Sequence, residues 1–485
     1  MSYFADLALQ YIDGEWRPGS GSWDIIDVNP YDGEKLASVT VATADEIDAA
    51  YRAAARHQRA WAGTNPYARR RVFEQAIRLI EDGEEEITEA LVAELGGTRV
   101  KAAFELHLAK EFLREAVQLA LRAEGRIVPS PADGKENRIY RVPAGVVGVI
   151  SPSNFPLLLS LKTVAPALAL GNAVVLKPHQ STPVCGGALV AKILEEAGLP
   201  PGLLNVVITD IAEIGDAFIA HPVPKVISFT GSDRAGRHVA TVAAGQFKRC
   251  VLELGGNSAL IVLDDADLDY AVDAAVFSRF IHQGQVCMAA NRIIVDRSIA
   301  DAFAEKFTAK VGTLRTGDPA DPATHIGPLI NSAQAESIDA TVQQAIAEGA
   351  RPLLRGTVRG NLVSPTVLTD LPDDAAALRQ EIFGPVALII PVDGEDEAVR
   401  VANDTPYGLG GAVHTADPER GVRVAQRIEC GMIHVNDATV ADEPIVPFGG
   451  EKFSGPGRLN GEQTVEAFTT TKWISVQHGR TEFPF

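Results

Sequence analysis

From Val146 to Leu254 short apolar runs alternate with helical patterns, and this alternation constrains the fold more than any other feature of the chain. Val146–Ile150, Ala173–Leu176, Asn205–Ile208, Val226–Phe229 and Val251–Leu254 read as strands. Leu157–Leu170, Val184–Ala197 and Arg234–Ala243 read as helices. Strands separated by helices build a mostly parallel sheet covered on both faces, and such sheets bind ligands beyond the carboxyl ends of their strands. A second set follows, with strand-like Ala259–Leu263 and Arg292–Val295 and helix-like Leu268–Phe280 and Ala300–Val311. It predicts a second α/β lobe ending near Cys430. At 485 residues the chain is too long for one ordinary core.

The N-terminal part reads as helices. Thr43-Ala-Asp-Glu46 is a capping-box pattern ahead of Ile47–Trp61, and Tyr67–Leu95 and Lys101–Ala123 continue at helical spacing. Arg126–Pro129 and Asn137–Val142, joined through Asp133-Gly134, predict a hairpin. The segment Lys472–His478 reads as a lone strand that needs a partner, for which the hairpin, of the same or another subunit, is the candidate. The net charge of −19 repels phosphate backbones and anionic lipid, so neither nucleic acid nor a membrane surface is an expected partner. The apolar region Val142–Pro178 is broken by four prolines between its ends and by Lys162, so no spanning helix is expected there. No basic, apolar leader is read at Met1–Gln10. Four cysteines without a CxxC or Cys/His cluster predict no disulfide framework, no bound metal and a cytoplasmic protein.

Five segments carry candidate chemistry. Ile227-Ser-Phe-Thr-Gly-Ser232, followed by Gly236, runs from a strand through a small turn into a helix. That exposes helix amides to a phosphate, and it equally suits a tight turn. Lys177 ends an apolar strand, where it would reach a ribose hydroxyl or snorkel to solvent. Glu253 in Val251-Leu-Glu-Leu-Gly-Gly256 is a carboxylate inside an apolar strand, either paired or raised towards the range of a general base. Cys287 in Gly284-Gln-Val-Cys287 sits in a small-residue turn that would present a thiol to a cleft; alone, a buried inert cysteine fits as well. Asn154, between Pro152 and Pro156, is held by its backbone as an amide donor suits an oxyanion site, or as a turn residue.

Together and in this order, Asn154, Lys177, Gly231, Glu253 and Cys287, with Glu381-Ile-Phe383-Gly-Pro385 and Pro447-Phe-Gly-Gly450, resemble the aldehyde dehydrogenase superfamily over nearly the whole chain. Cys287 lies 34 residues beyond Glu253, which also fits. The resemblance implies two Rossmann-type parallel-sheet lobes plus a small β oligomerisation element. Residues 1–124 and 143–252 would form the cofactor-binding domain and 253–430 the catalytic domain; 125–142 and 465–485 would join subunits into a homodimer or homotetramer. It makes Cys287 the nucleophile that forms a thiohemiacetal and then a thioester. Asn154 and the Cys287 N–H would hold the oxyanion, and Glu253 would activate water. Lys177 would join these three as a catalytic residue that also binds the adenosine ribose. The cofactor would be NAD, held by Ser151, Lys177, Gln180, Gly231, Ser232, Gly236, Leu254, Glu381 and Phe383. Neutral Gln180, where many NAD-preferring members carry Glu, predicts that NADP is tolerated too.

Ser151–Pro156 with Leu157–Leu170, and the tail through His478, look most like the members of that superfamily that oxidise aromatic aldehydes of the benzaldehyde and vanillin type. Phe155, Val286, Met288 and Phe448 are the expected pocket walls, since apolar walls suit a flat ring. Ser153, where many relatives place an aromatic residue, would widen the tunnel. The alternatives are an aliphatic or semialdehyde dehydrogenase of the same superfamily, a CoA-acylating relative, which the presence of Glu253 disfavours, and a non-enzymatic protein reusing the fold.

Overall fold

The apolar runs become strands buried on both faces, as a helix-covered parallel sheet requires. The structure is a computed structural model that describes residues 2–485; Met1, the first residue of the expected cofactor-binding domain, lies outside them. The first sheet has seven strands in the order Arg249–Glu253, Val226–Thr230, Val146–Ile150, Ala173–Lys177, Leu204–Val206, Gln10–Ile12, Glu15–Arg17. Its first five strands are parallel and the last two antiparallel. The register pairs Phe229 with Ile150, Ile150 with Lys177 and Thr230 with Glu253. One carboxyl edge therefore carries Lys177, Glu253 and the starts of the loops holding Asn154 and Gly231.

The second sheet also has seven strands: Arg351–Leu354, Thr366–Thr369, Val386–Val392, Ala290–Asp296, Ser258–Val262, Gly410–His414 and Met432–Val435. All but the first pairing are parallel. Gly256, Cys287 and Glu381 lie just before three of these strands, at their amino ends. Met432–Val435 carries the sheet past Cys430, so the second lobe runs beyond its expected end. Glu253, expected to open the catalytic domain, instead completes the last strand of the first sheet.

The helical reading of the N-terminus needs correction. Before the helix Ala44–Gly63 the chain forms Gln10–Ile12, Glu15–Arg17 and the hairpin Asp24–Val28/Lys35–Thr40. Three-residue strands are too short to show a period of two; Gln10–Ile12 is fixed by adding to the sheet beside Val206. The segment read as Tyr67–Leu95 is two helices, Pro66–Asp82 and Glu84–Leu95, interrupted at Gly83. The capping box forms at the start of Ala44–Gly63, with Glu46 accepting the Thr43 N–H at 2.9 Å. The lone tail strand, Thr469–Gln477, pairs along nine residues with Lys135–Pro143 of its own chain, and Arg126–Pro129 completes a three-stranded antiparallel sheet. Among the described residues no helix is long and apolar enough to cross a membrane.

Candidate active site

Asn154 sits in the loop between strand Val146–Ile150 and helix Pro156–Ala169. Pro156 opens that helix, and the Ser151 N–H is tied to the Lys177 carbonyl at 3.1 Å. Asn154 is buried, and its Nδ2 donates to the Gln285 carbonyl at 2.9 Å, two residues before Cys287. This bond joins the carboxyl edge of the first sheet to the Cys287 loop of the second lobe. The first amides of the helix, Leu157 and Leu158, donate at 2.9 and 3.1 Å to Glu105, which pairs with the fully buried Lys101. A carboxylate at a helix N-terminus satisfies amides left without an intrahelical partner.

Cys287 follows three successive residues with positive φ: His282 at 51°, Gln283 at 56° and Gly284 at 75°. Two of them carry a Cβ, so the turn is strained and must be held by its surroundings. The buried Arg279 does so, donating to Ile382 O at 2.8 Å, and also to Gly384 O and Asn291 Oδ1. It ties the cysteine loop to the Glu381–Pro385 segment. On the other side, a Cβ at Gly256 would stand 2.3 Å from the Cys287 carbonyl oxygen, so Gly256 is needed for the loop to approach. The thiol is half-buried, and burial, then the charges of Glu381 and Glu253, push it up to about 12.

Glu253 is buried at the end of its strand, and neither carboxylate oxygen has a hydrogen-bond partner. Burial pushes its carboxyl up to about 8, against the pull of Lys162. Gly449, in the Pro447–Gly450 segment, packs over it; a Cβ there would lie 3.1 Å from Glu253 Oε1. A buried carboxylate without a donor is costly unless it binds or loses a proton in the course of its work.

The remaining expected residues take up different positions. Lys177 ends its strand, and burial holds its ammonium below the ordinary lysine range. Gln180 is exposed three residues on. Ser232 caps helix Asp233–Ala244, accepting the Ala235 N–H at 3.3 Å, while the Gly231 N–H donates to Glu253 O at 3.0 Å. Gly236 and Leu254 meet each other: a Cβ on Gly236 would lie 2.4 Å from Leu254 Cδ2. Glu381 accepts the Gly256 N–H at 2.9 Å, and burial raises it to about 7. Phe383 is half-buried, with its carbonyl accepting from Gln334 at 3.1 Å. Val286 and Met288 are buried on either side of Cys287, Phe155 stands edge-on to His282, and Phe448 packs under Lys162. Sequence reading missed Glu105, Arg279 and Lys162 as parts of the site. Only Lys162 carried a signal, a charge inside an apolar helix, and there it was taken merely as a break in a hydrophobic run.

Comparison with known proteins agrees with this geometry. Residues 16–474 match the aldehyde dehydrogenase family. The chain is 57% identical over 485 residues to benzaldehyde dehydrogenase YfmT of Bacillus subtilis, covering all of both proteins. It is 46% identical over 474 residues to vanillin dehydrogenase of Corynebacterium glutamicum, covering 97% of this chain and 98% of that one. The crystal structure of an NAD-dependent benzaldehyde dehydrogenase from Corynebacterium glutamicum superposes with a TM-score of 0.91 at 42% identity, covering 99% of each chain. With two parallel-sheet lobes, a cysteine and a buried glutamate meeting between them, and similarity over its full length, the chain belongs to the aldehyde dehydrogenase family.

Proposed function

We propose that this enzyme oxidises aromatic aldehydes of the benzaldehyde and vanillin type to their carboxylic acids. The observation that carries the chemical roles is the donor-free carboxylate of Glu253 in the same buried site as the Cys287 thiol. A thiol raised to about 12 is a poor nucleophile on its own, and a carboxylate raised to about 8 is a competent base near neutral pH. Glu253 takes the thiol proton and passes it to solvent, and Cys287 Sγ attacks the aldehyde carbon. One N–H of the Asn154 amide is spent on Gln285, which leaves its second for the oxyanion. The Cys287 N–H, without an acceptor among the described residues, is the other donor. Glu253 then takes a proton from the water that hydrolyses the acyl thioester.

Family members use NAD(P), and the residues present fit such a group. Lys177 stands at the carboxyl edge, an N-terminus capped by Ser232 suits a pyrophosphate, and Glu381 lies against the bare backbone of Gly255-Gly256. Bound there, the nicotinamide supplies the hydride acceptor for the oxidation. NAD is the cofactor, and exposed, neutral Gln180 carries no charge to repel a 2′-phosphate, so NADP is tolerated beside it.

The aromatic reading rests on the two relatives above and on the apolar walls Phe155 and Phe448. Steady-state turnover of benzaldehyde and vanillin against short aliphatic aldehydes, each with NAD and with NADP, tests it. Higher kcat/KM on the aromatic pair is the expected result, and an aliphatic preference refutes the substrate class. A loss with NADP as severe as in strictly NAD-dependent enzymes refutes the Gln180 argument. Cys287→Ala should abolish turnover and leave cofactor binding intact.

A further inference from the structure

Lys162 lies within the largely apolar helix Pro156–Ala169, between Leu161 and Thr163, and its side chain is 3% exposed. Its ammonium pairs with Asp442 Oδ2 at 2.6 Å, and lies 3.4 Å from the centre of the Phe448 ring and 5.0 Å from that of Phe112. The other Asp442 oxygen accepts from Asn460 Nδ2 at 2.8 Å. The pair sits beside the site, because Phe448, under the ammonium, precedes Gly449, which packs over Glu253. The charges of Lys162 and Asp442 both act on Glu253 and on Cys287. Asp442 also lines a cavity of about 420 Å³ with Phe104, Tyr270, Phe277 and Val440, and Phe104 meets the edge of the Phe155 ring.

A buried ion pair adds little stability over apolar residues of the same size, so packing alone does not account for it. An ammonium has three N–H donors, and one satisfies Asp442; the aromatic faces are weaker partners for the others. We propose that Lys162 and Asp442 form the polar end of the aldehyde pocket and select aromatic aldehydes that carry a ring hydroxyl remote from the carbonyl. The hydroxyl donates to Asp442 and accepts from Lys162. Because the carboxylate accepts that hydrogen bond rather than taking the proton, the ring stays a phenol. A phenolate would feed electrons into the carbonyl and blunt its reaction with Cys287.

The inference rests on the aromatic reading above, and the test separates the two. Values of kcat/KM are measured for benzaldehyde, 4-hydroxybenzaldehyde and hexanal on the wild type, Lys162→Met and Asp442→Asn, each checked for folding by thermal melting. The wild type should favour the hydroxylated aldehyde over benzaldehyde by about tenfold or more, since a site built to bond a hydroxyl rejects the analogue without one. In Lys162→Met that ratio should fall to near one. Asp442→Asn, which keeps the shape, should lower it as well and serves if the methionine variant does not fold. Benzaldehyde turnover without a hydroxyl preference overturns this inference alone. Equal losses on both aromatic aldehydes in the variants also overturn it, because they show a role through Glu253 only. A preference for hexanal overturns both readings.

Discussion

Glu253 couples activity and stability to pH in opposite directions. Its carboxyl is raised in the folded chain to about 8, whereas in the unfolded chain it titrates in the ordinary range. The stability it contributes is therefore fully present below that ordinary range and is lost as pH rises through about 8. The deprotonated form is the base, so turnover should rise over the same interval. Denaturant unfolding and kcat measured from pH 5 to about 9 should show the two trends crossing. Glu253→Gln should flatten the stability slope and leave acylated enzyme detectable by intact mass, because hydrolysis loses its base; a variant hydrolysing at the wild-type rate would refute the assignment. This residue was legible in the sequence because its signal is local, a carboxylate in an apolar strand followed by two glycines. Lys162 and Arg279 were not, because what gives them meaning is far away. Asp442 lies 280 residues from Lys162, and Gly384 lies 105 residues from Arg279.

Secondary-structure elements were readable in proportion to their length. Helix Leu268–Phe280 and strand Val146–Ile150 fall where the pattern puts them, since the helix buries Ala271, Val272, Ala275 and Val276 at helical spacing and the strand is an unbroken run buried on both faces. The three-residue strands near the N-terminus carry none and are made by tertiary pairing. The same limit hid the device that fixes Asn154. Helix Pro156–Ala169 has no side-chain cap of its own, and Glu105, from helix Arg99–Leu119, supplies the acceptor. Glu105→Ala leaves two helix amides and the Lys101 ammonium buried without partners. Breaking a buried ion pair from one side costs about 3–5 kcal/mol, so urea unfolding should show a loss of that order. Because the freed amides lie three and four residues after Asn154, kcat should fall too, with a smaller change in KM. Glu105→Gln keeps an acceptor for the amides and should recover part of kcat. An unchanged unfolding midpoint for Glu105→Ala would show that the helix start is held in some other way.

At the scale of the whole molecule, the site exists because the carboxyl edge of one parallel sheet meets the amino edge of another; the five parallel strands of the first were legible as an alternating pattern, but only two strands of the second. How the small antiparallel sheet is used was less so. Its tail strand is already paired within the chain, so no partner subunit is needed to complete it. Its register instead puts Ile127, Tyr140 and Ile474 on one face, at 70%, 41% and 43% exposure. The outer edges of Arg126–Pro129 and Thr469–Gln477 have no strand beside them among the described residues. Exposed apolar side chains around Arg138 on an open-edged sheet are a liability unless they are covered, and a second copy of the chain presents the same face for an isologous contact. Homodimers or homotetramers joined at this sheet are thus the expected state. Light scattering should give two or four chain masses for the wild type. Ile474→Glu, which places a charge on that face far from Cys287, should shift the mass towards one chain and leave the unfolding of each chain cooperative. An assembly unchanged by Ile474→Glu and by Ile127→Glu would place the subunit contact elsewhere. A monomeric wild type would leave the exposed face without the role argued for it.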